Sequence, residues 1–210
     1  MRRVWFLLGI LLAPSATVQA QAARRLVVGG GSRLWIEGAS NVSKWTCRAT
    51  TVSGAIGADS GFSDAGAPPS SAWSVTVRVP VSALTCGHAQ MDKSLRTALR
   101  AAEGEARDDG GNIVATLEAV RPDTSDGRTV HTIGTLTLAG REHPIRVDID
   151  TSRATADGME AQGEIPILMS DYGVEPPTAL FGVIRCTDRV LVKFVVIVAP
   201  AMTTISTAAP

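Results

Sequence analysis

From Trp73 to Ser82 the chain alternates without a break. Trp73, Val75, Val77, Val79 and Val81 stand on one side, and Ser74, Thr76, Arg78, Pro80 and Ser82 on the other. A period of two puts all the apolar side chains on one face of an extended strand. The same reading covers residues 112–121, where Ile113, Ala115, Leu117 and Ala119 share a face. In 129–139 it sets Val130, Leu136 and Leu138 against His131, Thr135 and Thr137. Ile145, Val147 and Ile149 then alternate with Arg146, Asp148 and Asp150, and Met159, Ala161, Ile165 and Ile167 with Glu160, Gln162 and Glu164. Val190–Val198 is apolar on both faces except for Lys193, and Leu34–Gly38 and Trp45–Ala55 complete a set of eight strands.

Turn chemistry separates these runs. Ala139-Gly140 and Asp157-Gly158 give tight hairpins, Asp123–Arg128 a polar loop, and Gly57–Ala72 a long Gly/Ser/Pro/Ala loop without the length of a second domain. One stretch changes period. Met91, Leu95, Ala98 and Leu99 recur at helical spacing, predicting an amphipathic helix of about three turns. Sequential antiparallel strands with one covering α-helix predict an all-β, eight-stranded barrel, a closed form without free sheet edges. Such a barrel is either filled by its own side chains or holds one small ligand. Small inward residues (Ala115, Ala119, Gly134, Ala161, Gly163) and a last strand apolar on both faces favour a cavity, although small residues also mark bends.

The N-terminus changes the compartment. Met1-Arg2-Arg3, the apolar run Val4–Leu12 and Val18-Gln19-Ala20 have the form of a signal peptide spanning 1–20, cleaved near Ala20. The run is short for a bilayer span, so no stable membrane insertion is expected. Residues 21–31 then form a flexible segment, 32–199 the barrel domain, and 200–210 a disordered tail. Removing Arg2 and Arg3 from 20 basic residues leaves 18 against 20 acidic, a net charge of −2. Nothing in that balance suits nucleic acid, and charge is not the main means of holding a ligand.

Three cysteines remain in an oxidising compartment, so one disulfide is expected with one thiol left over. Three pairings are possible; Cys47–Cys86 is favoured because Cys47 sits in an early strand and Cys86 just after the next. A zinc site at Cys86, His88 and a remote cysteine fits no standard spacing, so no metal is assigned. His88, His131 and His143 are scattered, the latter two at expected surface positions. No nucleophile elbow, phosphate loop or dinucleotide fingerprint occurs, and Ser170-Asp171 is adjacency without a base in place. No catalytic residue and no cofactor is assigned. Trp35, Trp45 and Trp73 fall in strands, where core packing competes with lining a ligand site.

Four motifs in order carry a resemblance. They are "IEGASNVSKWTC", "CGHAQMDK" at the helix start, "LAGREHPI", and "DYGVEPPTA" within "MSDYGVEPPTALFGVIRC" at 169–186. Over Ser32–Val198 the chain resembles the YceI-like family of exported lipid-binding proteins. That resemblance implies a lipocalin-like barrel whose elongated apolar lumen holds a polyisoprenoid chain such as a quinone tail. It also implies periplasmic residence, commonly dimers, and no catalysis. With few aromatics, the wall is expected to be aliphatic. Strand parity then nominates Val75, Val77, Leu117, Leu136, Leu138, Ile165, Ile167, Phe194 and Val196 as lumen contacts. Segment 169–186, kept out of the sheet by Pro176-Pro177, places Tyr172 at the barrel mouth, with Ala179, Leu180 and Phe181 folding over the opening or plugging it. The function expected is a non-catalytic carrier of an isoprenoid-type lipid. The alternative is an envelope or stress-related interaction module with a filled barrel.

Overall fold

The computed structural model describes residues 26–58, 73–103, 111–122, 128–155 and 158–200. The expected signal peptide, the loop residues 59–72 and 123–127, Asp157 and the tail after Pro200 lie outside them. In chain order the strands are β1 (Leu26–Val28), β2 (Arg33–Ala39), β3 (Lys44–Ala49), β4 (Ser53–Ala58), β5 (Trp73–Pro80) and β6 (Leu84–Thr85). After helix α1 (Ala89–Glu103) come β7 (Asn112–Pro122), β8 (Thr129–Leu138), β9 (Arg141–Thr155), β10 (Gly158–Leu168), the short β11 (Thr178–Ala179) and β12 (Ile184–Arg185), and β13 (Arg189–Pro200).

An antiparallel ring closes through β1, β4, β5, β7, β8, β9, β10 and β13, which pairs again with β1. The remaining sheet strands extend this ring and add no second layer. β1 and β2 run along the same edge of β13, at Val198–Pro200 and Leu191–Val195. β4 and β3 follow them in turn, and β5 and β6 follow those. Three of the eight staves are therefore interrupted strands, and the barrel has the eight strands its alternation predicts. One correction concerns Leu26–Val28. Read from sequence as flexible, it closes the barrel; three residues are too few for alternation to show.

The interruptions satisfy their own backbone groups. At the first, Gly29 N–H donates to the Ile197 carbonyl at 2.7 Å. Ser32 Oγ donates to the Gly29 carbonyl at 2.8 Å and accepts from Ile197 N–H at 3.0 Å. The next two are stitched to each other, Thr50 N–H and Oγ1 both donating to the Ala83 carbonyl at 2.9 and 3.0 Å. β8 and β9 join through Ala139-Gly140, both at positive φ (50° and 72°), the tight hairpin turn expected there.

Helix α1 covers one end. Leu99 is buried with the fully buried Leu84 in the main core cluster, and Leu95 and Ala98 pack against it. Asp92 moors the helix: its carboxylate accepts Cys86 N–H at 2.6 Å and the Thr85 hydroxyl at 3.0 Å. Arg96 donates to the Leu84 carbonyl at 3.2 Å. Cys86 is in turn disulfide-bonded to Cys47 of β3, the favoured pairing, and Cys186 remains a free thiol.

Candidate functional site

Alternate residues of every stave turn inward and leave a lumen of about 150 Å³ between them. On β13 the inward set is Val190, Val192, Phe194, Val196 and Val198. Eight residue steps at about 3.3 Å make this wall about 26 Å long along the strand. At the capped end the wall consists of Leu34, Ile36, Trp45, Leu84, Leu95, Ala98 and Leu99, with Met169, Val174 and Pro177 from the connection before β13. At the far end it consists of Ile56, Val75, Leu117, Val130, Ile149, Thr151, Met159 and Val198.

Small residues set the bore. Ala115 and Ala161 face the cavity. Gly163 is required for another reason: a Cβ there would meet the Phe194 ring, which lies across the strand and covers the glycine. Trp45 covers Gly38 in the same way. The large rings thus occupy the space vacated by glycines and press into the lumen less than their size suggests.

Almost no polar chemistry reaches this space. Among the described residues, Thr151 is the one hydroxyl-bearing residue on the wall, and its Oγ1 already donates to the Arg128 carbonyl at 2.8 Å. Nearby, Thr132 is buried with its hydroxyl donated to the Val147 carbonyl at 2.8 Å. The Trp45 indole N–H is buried without a hydrogen-bond partner, close to the Cys186 thiol. Burial pushes that thiol's pKa up, with the indole partly opposing, so Cys186 stays a neutral thiol. Apolar area, dispersion and shape are what this wall offers a guest.

The structure places nine of the residues nominated from sequence on the wall: Val75 and Val77 on β5, Leu117 on β7, Leu136 and Leu138 on β8, Ile165 and Ile167 on β10, Phe194 and Val196 on β13. Two are elsewhere. Tyr172 is 2% exposed, but it packs behind the wall, its ring 4.9 Å from His143 in an edge-on contact. Burial, with Asp171 adding a like charge, pushes its hydroxyl up to about 12. His143, expected on the surface, is half-buried by that contact. Phe181 is fully exposed and Leu180 is 66% exposed, so these side chains do not fold over the opening. The closing residues are instead Met169, Val174 and Pro177, from the first half of the same segment. Sequence reasoning missed them because an irregular connection has no period to read. The helix stripe Leu95, Ala98 and Leu99 was legible as an apolar face, without its target.

The model of one protein family, described as a YceI-like domain, matches residues 36–198. Among solved structures the chain is similar to BcnA of Burkholderia cenocepacia, with 17% identity, a TM-score of 0.58, and coverage of 80% of this chain and 96% of that one. It is equally similar to a polyisoprenoid binding domain from Saccharophagus degradans implicated in plant cell wall breakdown, at 18% identity and a TM-score of 0.58, covering 84% of this chain and 98% of that one. At such identity the likeness is one of fold. No curated protein matches the chain.

Proposed function

This chain belongs to the YceI-like family, and on that premise we propose that it is a non-catalytic carrier, exported to the periplasm, for an apolar isoprenoid-type lipid such as a quinone tail. The observation that carries the reading is the lumen. Thirty-one residues from all eight staves, the helix and the closing segment surround it, and the single hydroxyl among them is already engaged. Empty apolar cavities of about 150 Å³ stay dry and accept apolar guests of about the size of benzene, so a long isoprenoid chain enters this bore only as its side chains move apart. An isoprenoid chain gains about 0.8 kcal/mol for each methylene removed from water, so affinity needs no polar partner along the tail. A headgroup that remained in the opening would set which lipid is held.

Two features support export. The Cys47–Cys86 disulfide suits an oxidising compartment, and the first 20 residues have signal-peptide form, with cleavage near Ala20. The polyisoprenoid-binding neighbour supports the choice of ligand class. An aliphatic wall with Trp45 and Phe194 as its rings suits a flexible branched chain better than a rigid aromatic guest.

Organic extraction and native mass spectrometry of protein purified from the periplasm provide the test. We expect about one isoprenoid lipid per barrel; a purified protein that carries none, and takes up none when offered a polyprenol or quinone in detergent, overturns the carrier reading.

A further inference from the structure

Among the described residues, the most exposed large apolar side chains gather at one hairpin tip. Leu180, Phe181 and Val183 are 66%, 111% and 67% exposed, at the tip of the β11–β12 hairpin. Val42, 62% exposed, lies in the neighbouring β2–β3 turn, which Asn41 clasps to this tip: its Nδ2 donates to the Val183 carbonyl and its Oδ1 accepts Arg185 N–H, both at 2.9 Å. Leu180, Phe181 and Gly182 all have positive φ (50°, 54° and 85°). For a leucine and a phenylalanine this conformation is unfavourable, and it holds both side chains clear of the protein. The tip is convex, and a fluid apolar medium accommodates such a shape without a matching groove.

Charge adds a second, independent observation. Behind the tip stand Lys44 and Arg185, whose Nε donates to the Gly182 carbonyl at 2.8 Å. Of the acidic residues that border the two segments, Glu37 is held by Lys193 at 3.0 Å, Asp188 accepts from Ser170, and Glu175 is exposed. Two basic side chains behind an apolar tip match the layering of an anionic bilayer surface, headgroups over acyl chains. The tip also continues the lumen's closing segment, since Pro177 lines the cavity and Cys186 N–H donates to its carbonyl at 3.1 Å.

We infer that the 180–183 tip, with Val42 beside it, is a docking point for an anionic membrane surface, where the barrel receives or delivers its lipid. The transfer half of this inference rests on the carrier reading; the docking half does not.

The test is flotation of the purified protein with phosphatidylethanolamine–phosphatidylglycerol vesicles and, separately, with phosphatidylcholine vesicles. The variants are Leu180→Ser/Phe181→Ser and Lys44→Gln, with each protein's lipid content measured by native mass spectrometry. The expected result is binding to the anionic vesicles, weakened about tenfold or more in the double variant and weakened in Lys44→Gln at low salt only. Equal binding by wild type and double variant, or no binding by wild type, overturns docking. A wild-type dimer that the double variant dissolves, with no vesicle binding, overturns it in favour of a second copy of the chain. Docking with no lipid in any preparation leaves docking standing and removes the carrier reading.

Discussion

Residues 169–177 and 178–187 form two halves of one connection, similar in apolar content and opposite in fate. Met169, Tyr172 and Val174 of the first half are 6%, 2% and 2% exposed, whereas Leu180, Phe181 and Val183 of the second are at least 66% exposed. Backbone anchoring accounts for the difference. In the first half, Ser170 N–H and Oγ donate to the Asp188 carboxylate at 2.8 and 2.6 Å, and Met169 N–H donates to the Asp188 carbonyl at 3.0 Å. A 3-10 turn over Ser170–Tyr172 then ends at Gly173 with φ of 68°, where a Cβ would also strike the Arg141 guanidinium. That reversal turns Tyr172 and Val174 toward the barrel. In the second half, the contacts to Asn41 hold the backbone at Val183 and Arg185 and leave the Leu180 and Phe181 side chains exposed. Hydrophobicity marks side chains that avoid water; the trace of the backbone decides which of them succeed.

The largest expected effect separates the halves directly. Tyr172→Ala removes a buried ring from the capped end and should cost about 3–5 kcal/mol. Phe181→Ala removes a ring of similar size that is fully exposed and should change stability by less than about 0.5 kcal/mol. Urea unfolding of both variants gives the two numbers. Equal losses would mean that the exposed tip is packed in solution and that the contrast is false.

Next in size is an effect on capacity, with stability largely kept. Ala115 lies midway along the inward face of β7, across from Val77 and Leu136. Ala115→Trp would fill the bore from one wall. We expect lipid content to fall about tenfold or more relative to wild type, since the displaced tail loses about 0.8 kcal/mol for each methylene excluded. Overpacking is expected to cost about 1–3 kcal/mol. Extraction and circular dichroism distinguish the blocked barrel from an unfolded one, and full lipid content in a folded Ala115→Trp protein would show that the tail lies elsewhere.

Legibility followed periodicity. Strands β5, β7, β8, β9, β10 and β13 present their inward faces with the parity their alternation predicts, and the nine wall residues nominated from sequence all lie on β5, β7, β8, β10 and β13. β1 was not legible because its three residues pair only at their ends of β4 and β13. The interruptions at 29–32, 50–52 and 81–83 were not legible either, since hydrogen bonds to distant residues define them. Tyr172 and Phe181, both aromatic and both near the Pro-Pro pair, could not be sorted without the Asp188, Gly173 and Asn41 anchors. Cys47–Cys86 was accessible because strand order already brought the two cysteines close.

The smallest effect distinguishes the two covers of the capped end by pH. Helix α1 is moored through Asp92, whose carboxyl is held below its ordinary value of 3.8, chiefly by Cys86 N–H and more weakly by the Thr85 hydroxyl, against the opposing effect of desolvation. A group with a depressed folded pKa contributes stability that is complete above its unfolded pKa and is lost as pH falls through the folded value. The mooring should therefore be intact at neutral pH and weaken below about pH 4. Tyr172 of the other cover, with its hydroxyl pushed up to about 12, does not titrate in that range. Asp92→Asn keeps an acceptor for Cys86 N–H but loses the charge, so its urea midpoint should lie below wild type at neutral pH and converge on it in acid. Glu37, held low mainly by its Lys193 contact and secondarily by Trp35, titrates alike in both proteins and cancels in the difference. A gap between the two midpoints that stayed constant down to about pH 2 would mean that Asp92 holds the helix by shape alone.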